Sequence, residues 1–117
     1  MKRLCLCLCL VLTGCADDRV EARWRPPPDV LPGLELVGID RWGGDGPNRR
    51  LAQQYLELRC HKDPDRLVRK SYWPGPEWSG NVSWTPGAIT YHHRTHNPSI
   101  RNLTFGPEDV ARLGRCP

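Results

Sequence analysis

His92, His93 and His96 are the residues of this 117-residue chain whose spacing most invites a metal ion. On a helix, His92 and His96 stand one turn apart and can share an ion. On a strand, four residues span ~13 Å at 3.3 Å each, too far for two ligands that each lie ~2.0–2.1 Å from one zinc. Ile89-Thr90-Tyr91 before them are strand formers and Asn97-Pro98 closes the segment. His92 and His96 are therefore minority candidates, and no metal or cofactor is expected.

Cys60 beside His61 suggests a thiolate with its base, but neighbours on a strand face opposite ways. Asp63 and Asp65 belong to one turn and form no acid–base pair. The chain has no Gly-x-Ser-x-Gly elbow, no His-Glu-x-x-His pair and no phosphate-cradling glycine loop. No catalytic residue is assigned, and an enzyme is not expected. Five tryptophans remain, of which Trp73, Trp78 and Trp84 cluster among prolines and glycines. Exposed rings there could stack on sugars or anchor an interface. The plainer alternative is that they fill a core otherwise holding one Phe.

The first residues give an address. Lys2-Arg3 precede nine uncharged residues, Leu4 to Leu12, and small residues follow, the parts of a secretory signal peptide. Leu12-Thr13-Gly14-Cys15 resembles the bacterial lipobox. That resemblance implies cleavage before Cys15 and a diacylglyceryl group on its thiol. An uncleaved span would need about 20 apolar residues, more than twice the run present. Ala16, rather than Asp, follows Cys15, which by similarity to enterobacterial-type sorting favours the outer membrane over the inner one.

The lipobox resemblance redistributes the six cysteines. Cys5, Cys7 and Cys9 would leave with the signal peptide and Cys15 would carry the lipid. Cys60 and Cys116 remain, and a pair in an oxidising compartment is expected to form a disulfide. Removing residues 1–14 of 117 leaves 103, enough for one small domain. Lys plus Arg falls from 17 to 15 against 13 acids, a formal +2 that gives no reason to expect nucleic acid. Asn81-Val82-Ser83 and Asn102-Leu103-Thr104 fit the glycosylation sequon by chance if the chain is bacterial.

The elements that must position these residues divide the chain into a signal peptide (1–14), a tether (15–33) and a globular domain (34–117). Charged residues and Pro26-Pro27-Pro28 suggest an extended tether, able to hold the domain up to roughly 55 Å from a bilayer. Leu34, Leu36, Val37 and Ile39 suggest a first strand, ended by Gly43-Gly44-Asp45-Gly46. Residues 48–60 fit two periods. Leu51, Ala52, Tyr55 and Leu58 share a helical face, while Leu56, Leu58 and Cys60 alternate as in a strand. A helical start passing into a strand near Tyr55 is expected. Asp63-Pro64-Asp65 reads as a turn, and Leu67–Trp73, Val82–Thr85, Ala88–Thr95 and Ile100–Phe105 as strands. Pro107, Glu108 and Asp109 open a short helix that Gly114 stops. The expected fold is a small α+β domain dominated by antiparallel sheet. The expected function is that of a lipid-anchored, non-enzymatic envelope protein binding another protein, of accessory, exclusion or immunity type. A glycan-binding module using Trp73, Trp78 and Trp84 is the alternative.

Overall fold

Leu34 to Asp40 is buried without a break, so this strand must be covered on both faces. The computed structural model describes residues 17–72, 77–93 and 102–117. An antiparallel sheet runs in chain order through β1 (Asp17–Trp24), β2 (Leu34–Gly43), β3 (Arg50–Cys60) and β4 (Asp63–Tyr72). A second antiparallel sheet holds β5 (Asn81–Thr85), β6 (Ala88–His92) and β7 (Leu103–Phe105), and α1 (Pro107–Leu113) follows. Leu34, Leu36, Leu56, Leu58 and Val68 from the first sheet meet Ile89, Tyr91 and Phe105 from the second and Leu113 from α1 in one core. The α+β architecture dominated by antiparallel sheet is as the sequence predicts.

The C-terminal segment is fastened to the first sheet at three places. Lys70 Nζ lies 2.9 Å from Asp109 Oδ2. Arg66 donates to the carbonyls of Leu113 and Arg115 at 3.4 and 2.8 Å. Cys60 and Cys116 form a disulfide across a separation of 56 residues. Closing such a loop stabilises a fold by about 4 kcal/mol in the chain-entropy model. α1 itself starts and stops as predicted. Asp109 accepts from the Gly106 N–H at 3.0 Å, and Gly114, at φ 73°, ends it.

Three expectations are corrected. Residues 17–24 are not tether but the edge strand β1, with Trp24 opposite Leu36 and Asp17 opposite Trp42. The proline segment is the loop that returns the chain from β1 to β2, closed by Val30 N–H donating to Pro27 O at 3.0 Å. Arg50–Cys60 is strand throughout, and the only helical turn beside it is a 3-10 turn at Gly46–Asn48. The mixed period has a cause: register jumps from Arg41↔Gln53 to Trp42↔Leu51, so Ala52 is a bulge that breaks the alternation. Finally, the reversal after β3 falls at His61-Lys62, and Asp63 already pairs with Cys60. Residues 64–66 bulge from β4, an edge position where Pro64 is tolerated. Trp73 and residues 94–101, which include Thr95, His96 and Ile100, lie outside the described residues.

The turn into β3 depends on Gly44. Its φ is 86°, and a Cβ there would sit 2.3 Å from the Asn48 carbonyl oxygen. Among the described residues no helix is long and apolar enough to cross a membrane.

The Lys70 ammonium, joined by the Gly106 N–H, holds the Asp109 carboxyl below its ordinary 3.8 against the opposing effect of burial. A carboxyl depressed in the folded state adds stability above its unfolded value, and that stability disappears as pH falls through the folded value. Asp109→Asn should therefore lower the unfolding free energy by about 1 kcal/mol at pH 7. The gap between variant and wild type should close below about pH 4. Thermal melts across pH measure this, and a gap that persists unchanged at pH 3 would refute it.

Candidate functional site

Among the described residues, no second sheet or helix lies over the face of the first sheet opposite the core, yet two carboxylates on it are nearly inaccessible. Glu35 and Glu57 are each 2% exposed, and Val37 between them is fully buried. Strand alternation puts these residues on the side away from Leu34, Leu36, Leu56 and Leu58. Their cover is a set of arginines from all neighbouring strands, whose alkyl stems can lie on apolar surface while the heads stay wet.

The charges alternate in a lattice across the sheet. Glu35 Oε2 accepts from Arg23 and Arg59, both at 3.2 Å, and Glu35 Oε1 lies 3.2 Å from His61 Nδ1. Arg59 also reaches Glu57 at 3.4 Å, and Arg69 Nε donates to the other Glu57 oxygen at 2.6 Å. Arg69 extends to Asp18 at 3.5 Å. Asp18 in turn takes both forks of Arg41, at 2.7 and 3.1 Å. That pairing holds the Arg41 guanidinium above its ordinary value. The Tyr55 ring carries the Arg69 guanidinium at 4.3 Å and that of Arg41 at 5.0 Å.

Between these charges lies a groove of about 690 Å³. Val20, Ile39 and Leu67 give it apolar surface, and Asp18, Glu57, Arg59 and Arg69 give it charge. The β4 bulge brings Pro64 and Asp65 to the groove wall. Among the described residues, Val20 and Leu67 are the two large apolar side chains that remain well exposed, at 39% and 36%. Such a surface, with apolar centre and charged, arginine-rich surround, has the anatomy of a protein-recognition patch. It holds no nucleophile, and its ionisable groups are committed to one another.

The residues singled out by sequence are placed elsewhere. Trp78 lies on Gly38, where a Cβ would come within 2.7 Å of its ring, and it donates to buried Asp40 at 2.8 Å. Gln54 donates to the same Asp40 oxygen at 2.9 Å. Trp78 also packs against Trp24, Tyr72 and Tyr91 at 5.9–6.3 Å, and Trp84 packs against the core. Trp78 thus bridges the two sheets, and Trp84 packs on the core rather than standing free. Burial pushes the Tyr72 hydroxyl up to about 12. It raises Tyr91 as well, partly offset by the Gly80 N–H that the Tyr91 oxygen accepts at 2.8 Å. Cys60 and Cys116 form the expected bridge. Cys15, Trp73 and His96 lie outside the described residues. Among the described residues no three His, Cys, Asp or Glu side chains converge as metal ligands.

One arrangement escaped the sequence reading altogether. Ser83 Oγ lies 2.7 Å from His92 Nε2, and Asn102 Nδ2 lies 3.2 Å from His92 Nδ1. Ser83 and His92 are diagonal neighbours in the β5–β6 register, so only the hairpin geometry could reveal them. Asn102 Oδ1 accepts from the His93 N–H at 3.3 Å, which turns the amide nitrogen toward Nδ1. Nδ1 therefore accepts, Nε2 carries the proton, and Ser83 receives a hydrogen bond instead of giving one up. This is the wrong tautomer for activating a serine nucleophile. The trio serves to tie β5, β6 and β7 together at the surface. The groove residues, in contrast, left a partial trace in sequence, since Glu57-Leu58-Arg59 alternates as an outward acid and base. Their burial depends on Arg23 and Arg69 from other strands, which no local pattern reveals.

The chain matches no protein-family model, no curated protein sequence and no solved structure.

Among the described residues, Arg59 is the arginine that both buried glutamates share. Arg59→Met keeps the apolar stem and removes the charge, and should cost about 3 kcal/mol because it strips a partner from two buried carboxylates. Adding Glu35→Gln and Glu57→Gln should restore most of that loss. Urea unfolding of the single and triple variants measures both, and an Arg59→Met protein as stable as wild type would contradict the role given to the lattice.

Proposed function

We propose that this chain is a lipid-anchored bacterial envelope protein, held by acylation of Cys15, that binds another protein through the uncovered face of its first sheet. The observation that carries the binding half is the groove with Val20, Ile39 and Leu67 exposed or lining it, on a face made rigid by paired charges. Rigid, preorganised side chains lose little entropy on association, so such a surface suits specific docking. The envelope half rests on Leu12-Thr13-Gly14-Cys15. The Cys60–Cys116 disulfide supports it, because such bridges persist in oxidising compartments. Ala16 after Cys15 favours the periplasmic face of an outer membrane. The partner would be a subunit, target or toxin of the envelope, as accessory, exclusion and immunity proteins bind.

Two comparisons test the two halves separately. Fatty-acid labelling of cells should mark wild type and leave Cys15→Ala blank; equal labelling would remove the anchor. Crosslinked purification from membranes should yield one stoichiometric protein. Leu67→Glu, which puts a charge in the groove without touching the core, should weaken that capture about tenfold or more. Thr85→Glu on the second sheet should leave it intact. Equal capture by both variants, or sedimentation with peptidoglycan in place of a protein partner, would overturn the groove assignment.

A further inference from the structure

The anchor and the fold together set an orientation. Two peptide units separate Cys15 from Asp17, so whatever path they take they reach at most about 7 Å. Asp17 opens β1 and is paired with Trp42, at the end of the sheet where β2 turns into β3. An acyl group on Cys15 would thus emerge beside this hairpin tip and not at the end of a long spacer. β1 runs away from that point for eight residues, about 25 Å. The disulfide and His61 lie at the opposite end of the strands, since Cys60 is paired with Leu34 and Asp63.

The tip has the chemistry of a membrane contact. Residues 44–50 are all exposed, and they carry Pro47 and two cations, Arg49 and Arg50, against one acid, Asp45. Trp42 stands half-buried at the root, with the Arg49 guanidinium 6.0 Å from its ring centre. Arg49 and Arg19 both pair with Asp17 and hold its carboxyl below the ordinary value, and Asp18 is paired with Arg41, so both acids next to the anchor have cationic partners. Arg50 has no ion pair among the described residues. Tryptophan at the headgroup level and arginine against anionic phosphate are the residues that interfaces favour.

We propose that the β2–β3 hairpin tip rests on an anionic phospholipid surface, with Trp42 at the headgroup level and Arg49 and Arg50 against lipid phosphates. The strands of the first sheet then stand upright, and the groove faces sideways, from Asp18 and Val20 near the bilayer to Leu67 and Pro64 farther out. This inference rests on acylation of Cys15.

The test uses the full chain, expressed with lipoprotein processing and reconstituted into vesicles. These hold equal parts of phosphatidylethanolamine and acyl-brominated phosphatidylglycerol. Bromine quenches nearby tryptophan, and wild type should be quenched relative to vesicles without bromine. Trp42→Phe should lose most of that quenching, and Arg50→Glu, a change at an exposed position, should reduce it. Quenching that survives both substitutions in a fatty-acid-labelled protein would overturn the orientation and leave the anchor standing. A Trp42 shielded from lipid by a bound protein would do the same. A chain that carries no fatty-acid label would overturn both.

Discussion

Two buried glutamates on a sheet face that, among the described residues, only side chains cover are the constraint around which this molecule is arranged. Carboxylates as inaccessible as Glu35 and Glu57 need cationic hydrogen-bond partners within reach. Arg23, Arg59 and Arg69 come from three different strands to meet that need. The lattice therefore ties β1 and β3 to β2, and β4 to β3, from the side away from the apolar core. It also explains why a segment as charged as Asp17–Trp24 is a strand. Its outward Asp18 and Arg23 find partners on neighbouring strands, while Ala22 and Trp24 turn toward the core side. The groove is the space left between the arms of this lattice.

The apolar side is held differently. Two small sheets meet through a cluster of aromatic rings, in which Trp24, Tyr72, Trp78 and Tyr91 lie within 5.1–6.3 Å of one another. Gly38 leaves room for Trp78 to lie on the first sheet. The disulfide, Lys70 and Arg66 then close the far end by pinning α1 and the chain's last residues. These clamps add to the core cluster at the end of the domain where the chain terminates.

How much of this was legible follows from which interactions are local. The C-terminal helix was, because proline, acids and glycine mark both of its ends within a few residues. The Gly43–Gly46 turn was as well, since two of its glycines, Gly44 and Gly46, take positive φ. The disulfide was legible once the lipobox resemblance had set the other cysteines aside. β1 was not, because its charges look solvated until their partners twelve or more residues away are known. The first half of β3 was not, because the bulge at Ala52 shifts the alternation and imitates a helical period. Trp78 looked like a ligand platform because exposure is a property of the fold, and the ring lies against Gly38. The groove was legible only as outward charges on strands; that arginines from three strands roof over Glu35 and Glu57 is a tertiary fact.

The central claim is that the uncovered face of the first sheet is where this protein meets its partner. Site-specific photocrosslinking in cells tests it most directly, with a photoreactive amino acid placed at Leu67 in the groove or at Thr85 on the second sheet. The account predicts a single protein adduct of fixed mass from position 67 and none from position 85. An adduct from position 85 alone, or no protein adduct from position 67 in a correctly folded and acylated chain, would contradict it.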